Sequence, residues 1–238
     1  MLKTKLKTVL LSSLLLGLGF GPNGVALAKK QPSKTPVTRE SKPAAAETEV
    51  ETEEKDAGPT DPVQQFDLAM KAHAAGNSAE ALQWLEKSAV QGYSAAQFRL
   101  GQMHESGTGV SKNPAEAVKW YLKSAKQGSA LAQYSLGKIY EQTGNQKESV
   151  YWLVQAADQS STPAQFALAR HYEAGTGVKK SLQEAYKYLV LAASDGAPTH
   201  VYNRDRVAGL LTPGEVESIQ NLLNQWKSAR ASAKAPQK

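Results

Sequence analysis

The spacing of Ser135 and Lys138 is the one pattern in this sequence that is typical of nucleophilic catalysis. An S-x-x-K sequence places a lysine beside the serine nucleophile of acyl-transfer enzymes that react with β-lactams. Those enzymes also carry S-D-N and K-T-G sequences, and the nearest matches here are Ser194–Gly196 and Gln142–Gly144. Because the supporting sequences are missing, we expect the Ser135 spacing to be a chance match.

Histidine and cysteine content gives no other sign of enzyme or metal chemistry. The chain has no cysteine, and none of its four histidines has a second histidine or a carboxylate at metal-ligand spacing. These histidines are His73, His104, His171 and His200. His104 takes a repeat position that Tyr140 and Tyr172 hold in other units, so we expect it to replace a core aromatic residue. We predict no catalytic residue, no metal site and no cofactor.

Polar residues suited to partner binding recur at one helical position. Gln102, Lys138 and Arg170 are separated by 36 and 32 residues, and Arg99 precedes Gln102 by about one helical turn. We predict that these four residues contact an acidic segment of a protein or peptide partner. The alternative is that they are ordinary solvated helix charges. A column of glutamines offers a second candidate lining for the binding groove: Gln65, Gln97, Gln133 and Gln165. These glutamines could equally cap the backbone of neighbouring helices.

The elements that position these side chains are internal repeats. When the chain is shifted by 68 residues, 93–128 aligns with 161–196, and 15 of 36 positions are identical. Units 61–92 and 129–160 align with them once four residues are removed from the middle loop. Ala96, Leu100 and Gly101 show the i, i+4, i+5 spacing of a helix face. The sequence therefore predicts four helix pairs.

The second helix of each pair carries large aromatic residues beside small ones. The aromatic column is Trp84, Trp120, Trp152 and Tyr188. Two columns of Ser and Ala accompany it, beginning at Ser88 and Ala89. We expect the aromatic residues to be core residues that pack against small residues of neighbouring helices. Exposed aromatic residues would instead indicate a glycan-binding surface.

These motifs resemble the Sel-1-like repeats, which are relatives of the tetratricopeptide repeats. The similarity rests on A-Q-F-x-L-G at 96–101, A-Q-Y-x-L-G at 132–137, and E-x-G-T-G-V at 105–110 and 173–178. It covers about residues 61–196, and residues 197–226 resemble the capping helices of exported members. The resemblance implies an all-α fold, an α/α right-handed superhelical solenoid whose first helices line a concave face.

The same resemblance implies a non-catalytic adaptor or scaffold that binds a protein or peptide. Exported bacterial members of the family are associated with envelope, motility and host-interaction functions. Members proposed to hydrolyse β-lactams pair cysteines within each repeat, and this chain has none. We therefore expect a cell-envelope scaffold. The alternative is a cell-wall glycan-binding module, and a β-lactam hydrolase is the least supported function.

The two ends of the chain differ from the repeats in composition. Residues 1–28 have the basic, apolar and small-x-small regions of a secretory signal cleaved after Ala28. A periplasmic or secreted location is therefore expected, without stable membrane insertion after cleavage. Residues 29–60 are rich in proline and segregated charge, which predicts a disordered linker. Residues 227–238 are predicted to be a basic disordered tail.

The net charge of +6 does not predict a nucleic-acid partner. Residues 62–226 contain 15 basic and 14 acidic residues, so the excess of positive charge lies in the leader and the tail. Phosphate contacts need a basic patch or stripe on the folded part of a protein. We therefore expect no nucleic-acid binding.

Overall fold

A computed structural model describes residues 58–234, with side chains described as far as Ala229. The predicted signal peptide, residues 29–57 of the predicted linker and the last four residues of the chain lie outside the described residues. The end of that linker already contacts the first repeat, because Gln65 Nε2 donates a hydrogen bond to the Pro59 carbonyl at 2.8 Å.

The described residues form helices joined by short turns, and they contain no strand. Each predicted repeat is one helix pair, and a fifth pair follows. The helices are α1 (Pro62–Ala74), α2 (Ser78–Val90), α3 (Ser94–Ser106), α4 (Pro114–Lys126), α5 (Ala130–Gln142), α6 (Gln146–Asp158), α7 (Thr162–Ala174), α8 (Leu182–Ala192), α9 (Pro198–Ala208) and α10 (Pro213–Lys234). The all-α solenoid predicted from the repeats is confirmed.

Local residues explain where these helices begin and end. The side chains of Asp61, Asn113 and Ser181 accept hydrogen bonds from backbone N–H groups in the first turns of α1, α4 and α8. Gly107 and Gly175 follow α3 and α7 with φ of 82° and 77°. This left-handed conformation ends a helix and favours glycine. The G-T-G loops are therefore turns within the helix pairs.

Neighbouring helices approach closely at the small residue that follows each repeat leucine. A Cβ atom at Gly101 would lie 2.6 Å from the Tyr121 ring, and one at Gly137 would lie 2.7 Å from Leu153. Tyr121 and Leu153 are both fully buried. The absence of a side chain at these glycines therefore makes room for a buried side chain from the second helix of the same unit.

The tryptophan column is less buried than predicted. Trp84, Trp120 and Trp152 are half-buried at the edges of the core clusters. The fully enclosed position is the next one along the second helices, and it is occupied by Leu85, Tyr121, Leu153 and Leu189. Two adjacent positions of a helix can both face an interface. The repeat pattern alone does not show which of the two side chains is more buried.

The glutamine column caps backbone carbonyls and does not line a surface. Gln97 and Gln133 are 4% and 5% exposed. Their Nε2 atoms donate to the carbonyls of Ala89 and Ala125 at 3.1 and 3.2 Å, near the ends of α2 and α4. Each of those carbonyls also accepts a backbone hydrogen bond of 3.0 Å, from Gly92 and Gly128 just past the helix ends. The glutamines are therefore structural links between units.

The C-terminal pair closes the stack in a different way from the repeats. Helix α10 packs mainly on α8, and Gln220 Nε2 donates to the Tyr186 hydroxyl at 2.9 Å. The helix continues to Lys234, past the predicted boundary at residue 226, so the first part of the predicted tail is helical. Within the described residues, no helix has both the length and the apolar character that a membrane span requires.

Candidate interaction surface

Ser135 and Lys138 do not form a nucleophile–base pair. Ser135 is half-buried. Lys138 Nζ lies 2.6 Å from Glu141 Oε2 on the same helix. The lysine is directed to a carboxylate and is not positioned to take a proton from Ser135.

A buried contact between Ser149 and His171 was not predicted. Ser149 Oγ lies 3.4 Å from His171 Nε2, and the two residues are 0% and 3% exposed. The Ser149 hydroxyl donates to the Gly137 carbonyl at 2.8 Å instead. His171 Nδ1 lies 2.8 Å from the Thr176 carbonyl. Ser149 is therefore a packing residue, and its sequence signal is a serine at a position where other repeats have Ala81, Ala117 and Ala185.

The contacts of two other histidines, His104 and His200, do not indicate a metal site. His104 is half-buried, and its Nδ1 has no hydrogen-bond partner in the described part of the chain. His200 Nδ1 lies 3.0 Å from Asp195 Oδ2. Across the described residues, no cluster of three or more His, Cys, Asp or Glu could hold a metal ion.

The exposed side of α1, α3, α5, α7 and α9, here called the first-helix face, carries two parallel columns. One contains three of the predicted binding residues and extends by one unit at each end: Met70, Gln102, Lys138, Arg170 and Arg206. The other lies three positions further along each helix: His73, Glu105, Glu141 and Glu173. The glutamate column was missed, although an offset of three residues places it beside the first column.

The glutamates offset part of the positive charge on this face. Lys138 pairs with Glu141 within α5, and Arg206 of α9 donates two hydrogen bonds of 2.7 Å to Glu173 of α7. The bonds from Arg206 hold the pKa of Glu173 below its usual value. Burial opposes ionisation of Glu141, but Lys138 and Arg170 outweigh it and lower its pKa. The face has mixed charge and is not a basic stripe.

Two of the predicted binding residues remain exposed on this face, Arg99 and Arg170. Arg99 Nη1 donates to the neutral Gln102 Oε1 at 3.0 Å. Arg170 acts on Glu141 through its charge, and no direct ion pair of Arg170 is present among the described residues. Both guanidinium groups therefore keep N–H donors for a ligand, whereas Lys138 and Gln102 are engaged within their own helices.

A cleft opens between the first two units on the first-helix face. It has a volume of about 370 Å³. Ala81, Leu85 and Met103 form its buried part, and His73 and Arg99 lie on its exposed rim. The structure thus brings two of the predicted residues, Arg99 and its partner Gln102, to one cleft. Arg170 lines a separate, more open depression near α9.

Stacked helix pairs that share columns of small and large residues define an α-solenoid repeat protein. The profile of the Sel1 repeat matches residues 65–93, 94–129, 130–161 and 162–196, which is more than half of the chain. The chain therefore belongs to the Sel1 repeat family. The four matches agree with the repeats found by internal alignment to within four residues at each boundary.

Two solved structures share this architecture. A Sel1 repeat protein from Oxalobacter formigenes is 35% identical, with a TM-score of 0.54, over 58% of this chain and 58% of that one. A protective antigen present in uropathogenic Escherichia coli strains, which displays an SLR fold, is 28% identical, with a TM-score of 0.55, over 75% of this chain and 50% of that one. The chain thus spans 50% and 58% of the length of these two relatives. No curated protein matches the sequence.

Proposed function

We propose that the chain is a non-catalytic scaffold of the cell envelope that binds a protein or peptide on its first-helix face. The observation that carries this proposal is that exposed Arg99 lies on the rim of an apolar cleft, while Arg170 is exposed further along the same face. Protein-binding surfaces combine apolar pockets with charged groups in this way. The S-x-x-K residues are consistent with this proposal, because Ser135 is half-buried and Lys138 is paired with Glu141.

The proposed location is the periplasm or the outside of the cell. It is supported by the basic residues, apolar run and Ala26–Ala28 of the predicted signal. The intact mass of the chain isolated from the periplasmic or secreted fraction is expected to correspond to a start at Lys29. Recovery of the chain only in the cytoplasmic fraction, with residues 1–28 attached, would contradict this location.

A glycan-binding module is less well supported than a scaffold. Sugar rings stack on accessible aromatic faces, whereas Lys87 Nζ lies 4.3 Å above Trp84 and Lys123 Nζ lies 3.8 Å above Trp120. Tryptophan emission is therefore expected to be unchanged by cell-wall glycan fragments. A saturable change in emission would favour the glycan alternative.

Site-specific crosslinking tests the proposed binding face. A photoreactive residue replaces Arg170 on α7, and in the control protein it replaces Gln155, which is exposed on the second helix α6. After incubation with envelope extract, a discrete crosslinked protein is expected from position 170 but not from position 155. The additional change Arg99→Glu is expected to remove that product. Identical products from both positions would contradict the proposal.

A further inference from the structure

The cleft between α1 and α3 lies where the repeat departs from its own pattern. Further along the stack, Lys138 of the first column binds Glu141 of the second, and Arg206 binds Glu173. The first two units have Met70 and Gln102 in the cation column, and the first unit has His73 in the glutamate column. No ion pair therefore bridges α1 and α3 among the described residues, and the cleft is open. In a repeat protein, such a departure from the shared pattern marks a candidate for specialised function.

The interior of this cleft is apolar and adaptable. Leu85 and Met103 are 2% and 8% exposed and form its floor with Ala81, and Met70 contributes a further wall. The sequence contains three methionines, and both of those beyond Met1 line this cleft. Methionine side chains are flexible and polarisable, so they adjust to the shape of a bound apolar group. The volume of about 370 Å³ is sufficient for a large aliphatic side chain.

The charged residues on the rim of the cleft indicate which charged group the ligand carries beside its aliphatic side chain. Arg99 is exposed and donates only to the neutral Gln102 Oε1 among the described contacts. Glu105 also lines the cleft, but it accepts a hydrogen bond of 2.6 Å from the Tyr121 hydroxyl of the adjoining helix α4. The rim thus has a cation with unused N–H donors and a carboxylate already bound by a donor. A guanidinium group binds a carboxylate through two parallel hydrogen bonds.

We infer that this cleft binds a segment of a protein partner that carries Leu, Ile or Met within two positions of Asp or Glu. The aliphatic side chain enters between Met70 and Met103, and the acidic side chain binds Arg99. This inference rests on the proposed function, because it assigns a ligand chemistry to one part of the first-helix face. It distinguishes the first two units from the rest of the stack, where Lys138 and Arg206 are paired with glutamates.

Selection from a random 12-residue peptide library, displayed as internal segments on phage, tests this inference on the full chain. Selected peptides are expected to share an aliphatic residue within two positions of Asp or Glu. Arg99→Glu is expected to weaken their binding by about tenfold or more, the usual cost of losing a charged hydrogen bond. Lys126→Glu on the exposed side of α4 makes the same change of charge and is expected to leave binding unchanged.

Methyl NMR of ¹³C-methionine-labelled protein locates the bound peptide. The resonances of Met70 and Met103 are assigned by Met70→Leu and Met103→Leu, and Met1 adds at most one signal that neither change removes. Both assigned resonances are expected to shift when the selected peptide is added. Replacing the aliphatic residue of the peptide with serine is expected to weaken binding by about tenfold or more and to reduce the shifts accordingly.

The outcomes separate this inference from the proposed function. Peptides that bind equally to the Arg99→Glu protein and leave both methionine resonances unmoved overturn the cleft as the site. If Arg170→Glu then abolishes their binding, the first-helix face remains the binding surface, and the proposed function stands. Peptides whose consensus contains no acidic residue overturn the inferred ligand chemistry. Failure to select any peptide that depends on the first-helix face overturns the inference and contradicts the proposed function as well.

Discussion

The Tyr121 hydroxyl joins the two helices of the second repeat. It donates to Glu105 Oε2 at 2.6 Å, and its ring is fully buried against Gly101. Burial, and then the Glu105 carboxylate, raise the pKa of Tyr121 above its usual value. The hydroxyl is therefore a neutral donor at physiological pH, and its hydrogen bond links α4 to α3.

Replacing Tyr121 with phenylalanine tests the contribution of this hydrogen bond. The ring is retained and the bond to a charged acceptor is lost, so the free energy of unfolding is expected to fall by about 1.5–3 kcal/mol. Urea denaturation of both proteins measures the difference. Tyr151→Phe is the control, because Tyr151 is 58% exposed and lies on the second helix α6. Equal stability of the Tyr121→Phe and Tyr151→Phe proteins would contradict a structural role for the Tyr121 hydroxyl.

The ion pair between Glu173 and Arg206 predicts a dependence of stability on pH. Hydrogen bonds from Arg206 lower the pKa of Glu173 below the ordinary value of 4.5. A carboxylate with a lowered pKa in the folded state stabilises the fold above its unfolded pKa, and this contribution is lost as the pH falls through the folded pKa. Glu173→Gln is therefore expected to reduce the loss of stability below pH 4.5, measured by urea denaturation at several pH values. Glu148→Gln, at an exposed position of α6, should leave the profile nearly unchanged, and an equal effect of both substitutions would contradict this assignment.

At the scale of the helices, close packing depends on the absence of a side chain at particular positions. A Cβ atom at Gly101 would lie 2.6 Å from Tyr121 ring atoms. Gly101→Ala is therefore expected to destabilise the protein by about 1–3 kcal/mol through overpacking, despite the higher helix propensity of alanine. Gly214→Ala in α10 is the control, because nothing lies within 4 Å of its added Cβ, and this change should be neutral or stabilising in thermal unfolding. A stabilised Gly101→Ala protein would contradict the close approach of α3 and α4.

The second helices also allow a test of which column forms the core. Leu153 is fully buried, whereas Trp120 is half-buried with Lys123 over its ring. Leu153→Ala is therefore expected to cost about 3 kcal/mol, and Trp120→Ala about 2 kcal/mol, although tryptophan is the larger residue. Urea denaturation of both variants gives the ranking. A greater loss of unfolding free energy for Trp120→Ala than for Leu153→Ala would indicate that the tryptophan column, and not the leucine position, forms the core.

The sequence predicted the four helix pairs, because the spacing of apolar and small residues recurs in every unit. It did not predict that Tyr121, rather than Trp120, is fully enclosed, because adjacent positions on a helix share one interface and only the packing of neighbours decides their depth. The cleft at Met70 was also missed as a site. It arises from contacts between units, and its signal in the sequence is three departures from the columns of the repeat, at Met70, His73 and Gln102.

At the scale of the whole described fold, binding residues from successive repeats lie on one continuous surface. Arg99 and Arg170 come from units two repeats apart, and the stacking of first helices brings them to the same face. Each unit is held by its neighbours, through the glutamine caps and the bond from Arg206 to Glu173. A rigid surface of this kind binds an extended segment at a lower entropic cost than a flexible one.

Quantitative mass spectrometry of co-purified envelope proteins tests the central claim, that the first-helix face is the binding surface. The chain with Arg99→Glu and Arg170→Glu is compared with a control that has Lys126→Glu and Lys147→Glu on the second helices, where both lysines are exposed. The two variants have the same net charge. We predict that a discrete set of proteins is depleted about tenfold or more with the first variant and retained with the control. Retention of those proteins by both variants, or their equal loss from both, would contradict the claim.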